Sequence, residues 1–94
     1  MTGEELSFLD RRLPPAFELR AISLAPGAER AYDAEEWRDA LVVVERGELE
    51  LEPIAGGRTR LGPGAVLWLF GLPLRALHNR GTEPAIVVAV ARRR

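Results

Sequence analysis

Proline and glycine cut this chain into apolar runs too short to serve as ordinary helices. FELRAISL (17–24), ALVVVER (40–46), AVLWLF (65–70) and AIVVAVA (85–91) are set apart by APG at 25–27, AGG at 55–57, GPG at 62–64 and RGTEP at 80–84. Turn residues returning about every 8–12 positions between β-branched and apolar runs are the mark of an all-β chain. The spacing predicts strands at 17–24, 28–32, 40–46, 48–53, 58–61, 65–70, 74–79 and 85–91. Only EELSFLDRRL (4–13) and DAEEWRDA (33–40) have room for a helical turn. At 94 residues and 47% hydrophobic content, the chain has material for one packed domain and one core. Residues 1–16 read as an N-terminal extension that packs on the outer sheet or on a partner subunit, and 17–94 as the domain itself.

One hairpin can be registered by counting. Folding the chain about Ala55 sets Glu52 against Arg58 and Glu50 against Arg60 on one face. The same fold sets Leu51 against Thr59 and Leu49 against Leu61 on the other. Alternation of period two and opposite charges across the pair agree, which fixes a register and gives the glutamate row a structural role.

Three other strands do not alternate. LVVV (41–44), AVLWLF and AIVVAVA are apolar at every position, so their outer faces need a cover once one face fills the core. The N-terminal extension is long enough to cover part of that area, and a homodimer is the expected cover for the rest.

Several chemistries are closed to this composition. All 13 basic residues are arginine, so no lysine is present for a Schiff base or a phosphate-binding loop; no cysteine is present for disulfides, thiolate metal sites or thiol nucleophiles. A net charge of −1 offers no general field for nucleic acid or for a membrane surface. The beginning of the chain lacks a secretory pattern and no apolar run reaches the ~18 residues of a membrane span, so a cytoplasmic location is expected. The closing ARRR reads as a solvated tail. Neither serine stands in a nucleophile elbow, and the turn glycines form no nucleotide-binding pattern.

The two stretches LVVVERGELELEP (41–53) and LGPGAVLWLFGLPLRALHNRGTEPAIVVAVAR (61–92) resemble the cupin superfamily, in particular its small single-domain bacterial members. The likeness rests on a glycine hairpin leading into an alternating Glu/Leu strand. It continues in a Pro-Gly turn, an apolar strand, a Gly-x-Pro loop, a short strand ending in Asn79 and a last apolar strand. The resemblance implies a small antiparallel jelly-roll β-barrel, often paired as a homodimer. It also implies two metal-ligand motifs, and here the ligands are missing. Anchored on Gly47, the first motif places its glutamate at Ala40 and its paired histidines at Ala34 and Glu36, or at Asp33 and Glu35. The second, matched without a gap from Gly64 to Asn79, places its histidine at Arg75. Aligning Gly71-Leu72-Pro73 with the Gly-x-Pro loop places that histidine at Leu74 instead, with one extra residue before Asn79. The gapless register turns Arg75, Leu77 and Asn79 inward; the shifted one turns Leu74, Ala76 and His78 inward and leaves Arg75 in solvent. The high cost of burying an unpaired guanidinium favours Arg75 outside.

The resemblance without its ligands implies a metal-free barrel with no cofactor, whose role is non-catalytic: binding a small organic molecule, sensing, or serving as an accessory domain. Ligand-binding candidates are Tyr32, Glu36 and Trp37, in the segment that lies at the barrel mouth in the resembled folds, with Arg75 and His78. The alternative is an isomerase- or epimerase-like acid–base enzyme, with His78 as the titrating group and Tyr32 or Asp39 assisting. A third reading is a divergent metalloenzyme ligated by Asp33, Glu35, Glu36 and Asp39. An open or a filled lumen distinguishes these.

Overall fold

The computed structural model describes residues 16–92. The expected N-terminal extension (save Ala16), its helical turn at 4–13 and the last two arginines lie outside the described residues. Eight strands follow in order: β1 (Phe17–Leu24), β2 (Glu29–Ala31), β3 (Ala40–Arg46), β4 (Leu49–Pro53), β5 (Thr59–Leu61), β6 (Val66–Leu67), β7 (Leu74–His78) and β8 (Ala85–Arg92). A 3₁₀ turn, Ala34–Trp37, in the segment DAEEWRDA, is the only helical element among the described residues. The strands form two four-stranded antiparallel sheets, β1-β8-β3-β6 and β2-β7-β4-β5, which close face to face as a small jelly roll.

The hairpin β4–β5 has the counted register: Leu49 opposite Leu61, Glu50 opposite Arg60, Leu51 opposite Thr59. Its leucines enter the core, while Arg58 reaches Glu50 at 2.9 Å on the outer face. The interior is packed with Trp37, Val42, Val44, Leu49, Leu69, Leu77 and Val87, all at most 2% exposed, together with Leu24, Leu51 and Leu74. The outward-facing Val43 and Val88, which pair with each other, are fully buried as well.

Strand β6 is shorter than the predicted 65–70. Its backbone leaves the ladder after Leu67 because the Leu69 carbonyl is engaged elsewhere, accepting the Tyr32 hydroxyl and the Leu72 N–H, which turns the chain into the Gly71 loop. Exposure still alternates along it: Leu69 is buried, and Val66, Trp68 and Phe70 stand in solvent. The outer face of this third apolar strand is therefore uncovered.

Strand β7 resolves the question of register in a way that neither alignment foresees. A β-bulge at Arg75 shifts its pairing with β4 between Glu52–Ala76 and Pro53–Leu74. The extra residue is absorbed there, so Leu74 packs into the core, as the shifted alignment requires, and so do Leu77 and the side chain of Asn79, as the gapless one requires. Arg75 lies outside, 63% exposed, 3.5 Å from Glu52. The expectation that Ala76 and His78 face inward is corrected: they share the outer face with Glu52 and Glu50. Asn79, fully buried, ties the strand end down by donating to the carbonyls of Leu24 (2.9 Å) and Glu83 (2.7 Å) and accepting from the Gly81 N–H (2.9 Å).

Candidate functional site

With the interior filled, one open space lies at an end of the barrel. There β1 and β3 begin, β8 ends, and the 3₁₀ turn crosses over. A cleft of about 670 Å³ opens between these elements, a volume suited to a small organic ligand. Its floor is made by Ala40, Ala89 and Ala91, whose methyl groups leave room where valine would close it. Across the sheet Ala91 sits between Glu18 and Ala40, and Ala89 between Arg20 and Val42, so Glu18 and Arg20 project from β1 over the same inner face. The walls are Glu35, Glu36 and Arg38 from the turn, with Arg92 at the lip.

The turn itself is started by Asp33, whose carboxylate accepts the Glu35 N–H at 3.1 Å. Its geometry drives Trp37 into the core and leaves the charged residues around the cleft. Arg20 lies 5.4 Å from the centroid of the Trp37 ring and donates to the Glu36 carbonyl at 2.7 Å. One oxygen of the Glu36 carboxylate receives both Arg30, in a short hydrogen bond, and Arg20 at 3.8 Å. Two guanidiniums thus share one carboxylate, and the lining of the cleft carries both signs: Glu18, Glu35 and Glu36 with Arg20, Arg38 and Arg92. Arg38 is held by both oxygens of Glu35, at 3.0 and 2.7 Å, and its guanidinium stacks 4.9 Å over Phe70. The Glu35 carboxylate raises the pKa of Arg38 above its ordinary value.

The residues singled out in the sequence are distributed unequally. Glu36 belongs to the cleft. Trp37 lies beneath it, with no exposed surface and an indole N–H that has no acceptor among the described residues. Tyr32 braces Leu69 through its hydroxyl. Asp39 occupies a left-handed backbone position (φ 58°) in the turn that leads to β3. Arg75 and His78 are on the outer face of the opposite sheet. His78 shares a hydrogen bond with Glu52 (Nε2 to Oε1, 2.7 Å) and lies 3.8 Å from Glu29. It is paired across β2 with Glu29, while Tyr32, three positions further on, turns to the other side of the sheet. The acid–base pair of His78 with Tyr32 is not assembled, because a two-residue period sends the two side chains to opposite faces. Arg20, Arg30, Glu18 and Arg92 were not anticipated. The signal was present in FELRAISL, where alternate positions read Glu18, Arg20, Ile22, Leu24. One face of this strand passes from charged to apolar, as expected of a strand that runs from a barrel mouth into its core.

On the outer face, Glu50 and Glu52 have carboxyl groups below the ordinary glutamate range. For Glu50, burial opposes this but is outweighed by hydrogen bonds and charge from Arg58 and Arg80; for Glu52 the hydrogen bond with His78 is the main cause, against burial, with Arg58 and Arg75 assisting. Carboxyls depressed in the folded state stabilise it above the unfolded value, about 4.3, and that stabilisation is lost as pH falls through the folded values. The urea midpoint should therefore stay level from neutral pH down to about 5 and fall below it. A variant with Glu50→Gln and Glu52→Gln should start lower and lose less between the same limits. Equal losses in both proteins would rule out this cluster as the source.

Comparison with known structures places this geometry. No protein-family model matches the sequence, and no curated protein does. Among solved structures, a sugar phosphate isomerase of the cupin superfamily from Silicibacter pomeroyi superposes with a TM-score of 0.61 at 30% identity, over 84% of this chain and 52% of that one. The cupin domain of an XRE-family transcriptional regulator from Enterobacter cloacae gives 0.56 at 29% identity, over 80% and 79%. The Cnp3 cupin domain of Schizosaccharomyces pombe gives 0.65 at 14% identity, over 89% and 57%. The chain is a cupin by fold. It spans 52% and 57% of the length of the isomerase and the Cnp3 structure.

In this cupin-fold chain no histidine stands at the positions that the resembled motifs give to metal ligands. Ala40 and Leu74, at the inward motif positions, are apolar members of the core, 2% and 7% exposed, and the Glu36 carboxylate is taken by two arginines. Among the described residues no group of three or more His, Asp or Glu side chains is placed to hold a metal ion. Bound metal at a hundredfold excess over its dissociation constant would stabilise the fold by about 2.7 kcal/mol. For a domain of this size that is roughly 10–20 °C in Tm. Addition of Zn²⁺, Mn²⁺, Fe²⁺ or Ni²⁺ should leave the melting temperature unchanged, and a rise on that scale would show a site built from other residues.

Proposed function

We propose that this cupin is a non-catalytic binding module whose ligand, a small organic anion, sits in the mouth cleft rather than in the barrel interior. The observation that carries the reading is the division of the barrel into a packed interior and an open, charged mouth. A lumen filled by Trp37, Leu69, Leu74 and Leu77 has no space for a reacting molecule. The cleft has the volume for one, and Arg20 and Arg92 both line it, Arg20 beside the Glu36 carboxylate. An anionic group entering there gains charge-assisted hydrogen bonds from Arg20 and Arg92. The likeness to a domain of a transcriptional regulator supports a sensing or accessory role for such a module.

The test is a titration of the isotope-labelled chain with succinate, glucose 6-phosphate and uncharged glucose, followed by amide chemical shifts. Succinate or the sugar phosphate should move the amides of Arg20, Glu36 and Ala91, glucose should not, and Arg20→Ala should weaken binding about tenfold, in line with loss of one charged hydrogen bond. Shifts confined to His78 and Glu52 would transfer the site to the outer face and favour the acid–base reading. An absence of shifts with every probe at millimolar concentration would count against the anion site.

A further inference from the structure

The charged side chains that line the mouth cleft do not all neutralise one another. Three carboxylates, Glu18, Glu35 and Glu36, face three guanidiniums, Arg20, Arg38 and Arg92. Glu35 closes on Arg38 at 2.7 Å, and Glu36 is occupied by Arg20 and Arg30. One charge of each sign remains. Among the described residues, the side chains of Glu18 and Arg92 have no ion-pair or hydrogen-bond partner. They stand on neighbouring strands without pairing, because Glu18 lies opposite Ala91 and Arg92 opposite Phe17, positions whose side chains leave the sheet on different faces. Glu18 projects over the inner face, and Arg92 borders the cleft from its lip. Ala91 stands between them, its methyl part of the alanine floor. The charges on the opposite sheet behave differently: Glu50 and Glu52 are met by Arg58, Arg75 and Arg80, and that network closes on itself.

We propose that the cleft takes a zwitterion: a small molecule with a carboxylate at one end, an ammonium at the other and a short run of methylenes between. The proposal rests on the anion-binding reading and extends it by a second charge. The carboxylate goes to Arg92, with Arg20 beside it, since Arg20 commits only some of its N–H donors to the Glu36 carbonyl and carboxylate. The ammonium goes to Glu18, whose oxygens have no other donor to serve among the described residues. The methylenes lie over Ala40, Ala89 and Ala91, where no larger side chain competes for the space. Selectivity follows from charge. A dicarboxylate of the same length sets its second carboxylate against Glu18, and a diamine sets an ammonium against Arg92; like charges at close range disfavour both. Only a zwitterion meets an opposite charge at each end. It also adds no net charge to a lining whose carboxylates already balance its guanidiniums.

Succinate, 4-aminobutyrate and 1,4-diaminobutane have the same carbon chain length and differ only in their end groups, so they separate charge from size. Each is titrated into the isotope-labelled chain at neutral pH and low ionic strength, with the amides of Glu18 and Ala91 as reporters. 4-Aminobutyrate should bind about tenfold more tightly than succinate, in line with one charge-assisted hydrogen bond gained, and 1,4-diaminobutane more weakly than either. Glu18→Gln should remove the preference, weakening 4-aminobutyrate about tenfold while succinate binds as tightly as before or more so. Glu18 is exposed, so this variant should keep the circular dichroism spectrum of the parent. Arg92→Gln should weaken both carboxylates. Succinate binding as tightly as 4-aminobutyrate, or a preference that survives Glu18→Gln, would overturn the zwitterion and leave the anion cleft standing. No shift at the cleft with any of the three, or binding of 1,4-diaminobutane alone, would overturn both.

Discussion

Gly47→Ala should bring the barrel close to unfolding. Gly47 joins β3 to β4 with φ +71°, and an added Cβ would lie 2.5 Å from the Pro84 carbonyl oxygen and 2.9 Å from the Ala85 Cα. Both are backbone atoms at the start of β8, the strand that pairs with β1 on one side and β3 on the other, so neither can yield without moving the sheet. The left-handed conformation alone costs an alanine about 1–2 kcal/mol. Relieving the clash adds on the order of 1–3 kcal/mol. Against a total stability of roughly 5–10 kcal/mol for a domain of this length, the loss is severe. Gly27→Ala supplies the control: Gly27 is also left-handed (φ +82°), but a Cβ there meets nothing within 4 Å. Urea unfolding of the two variants should differ by the clash alone. Equal midpoints would mean that the turn at Gly47 relaxes freely.

Trp37→Ala should cost about 3–5 kcal/mol, the usual range for deleting a buried large aromatic side chain. Trp37 has no exposed surface and stands between the 3₁₀ turn and the core, beneath the guanidinium of Arg20, so its loss should open a cavity under the mouth cleft. Trp37→Phe should cost much less, on the order of 1–2 kcal/mol, because the indole N–H has no acceptor to lose among the described residues and the phenyl ring keeps a face for Arg20. The pair of variants separates volume from hydrogen bonding. If phenylalanine proved as damaging as alanine, the indole nitrogen would have a partner in solution. Trp68, remote from the core, remains as a fluorescent reporter in both.

The sequence carried the architecture because its strands declare themselves through turns and alternation. The β4–β5 register was legible because alternation and charge pairing agree: with the turn centred on Ala55, Glu50 falls opposite Arg60 and Leu49 opposite Leu61. The bulge at Arg75 was not legible as such. Each alignment assumed an uninterrupted strand, and each therefore had half of the inward set, Leu74 or Leu77 with Asn79. The site was only partly legible for a related reason. Glu36 was found because it stands in a conspicuous acidic segment, whereas Arg20 and Arg30 come from two other strands, 16 and 6 residues before it, and meet it only when β1 and β2 converge on the turn. Trp37 and His78 were drawn to attention by residue type, and residue type does not say whether a ring fills a core or lines a cavity.

The bulge has a consequence for how such a chain tolerates change in length. An inserted residue in a strand ordinarily inverts the facing of everything beyond it, so most insertions are lost. In β7 the inversion is confined to one exposed arginine, and the residues on either side keep their places. That arginine is a splice in the strand, where a lineage can gain or lose a residue without rewriting the core. A motif matched by fixed spacing breaks at such a splice, even when the barrel around it is unaltered.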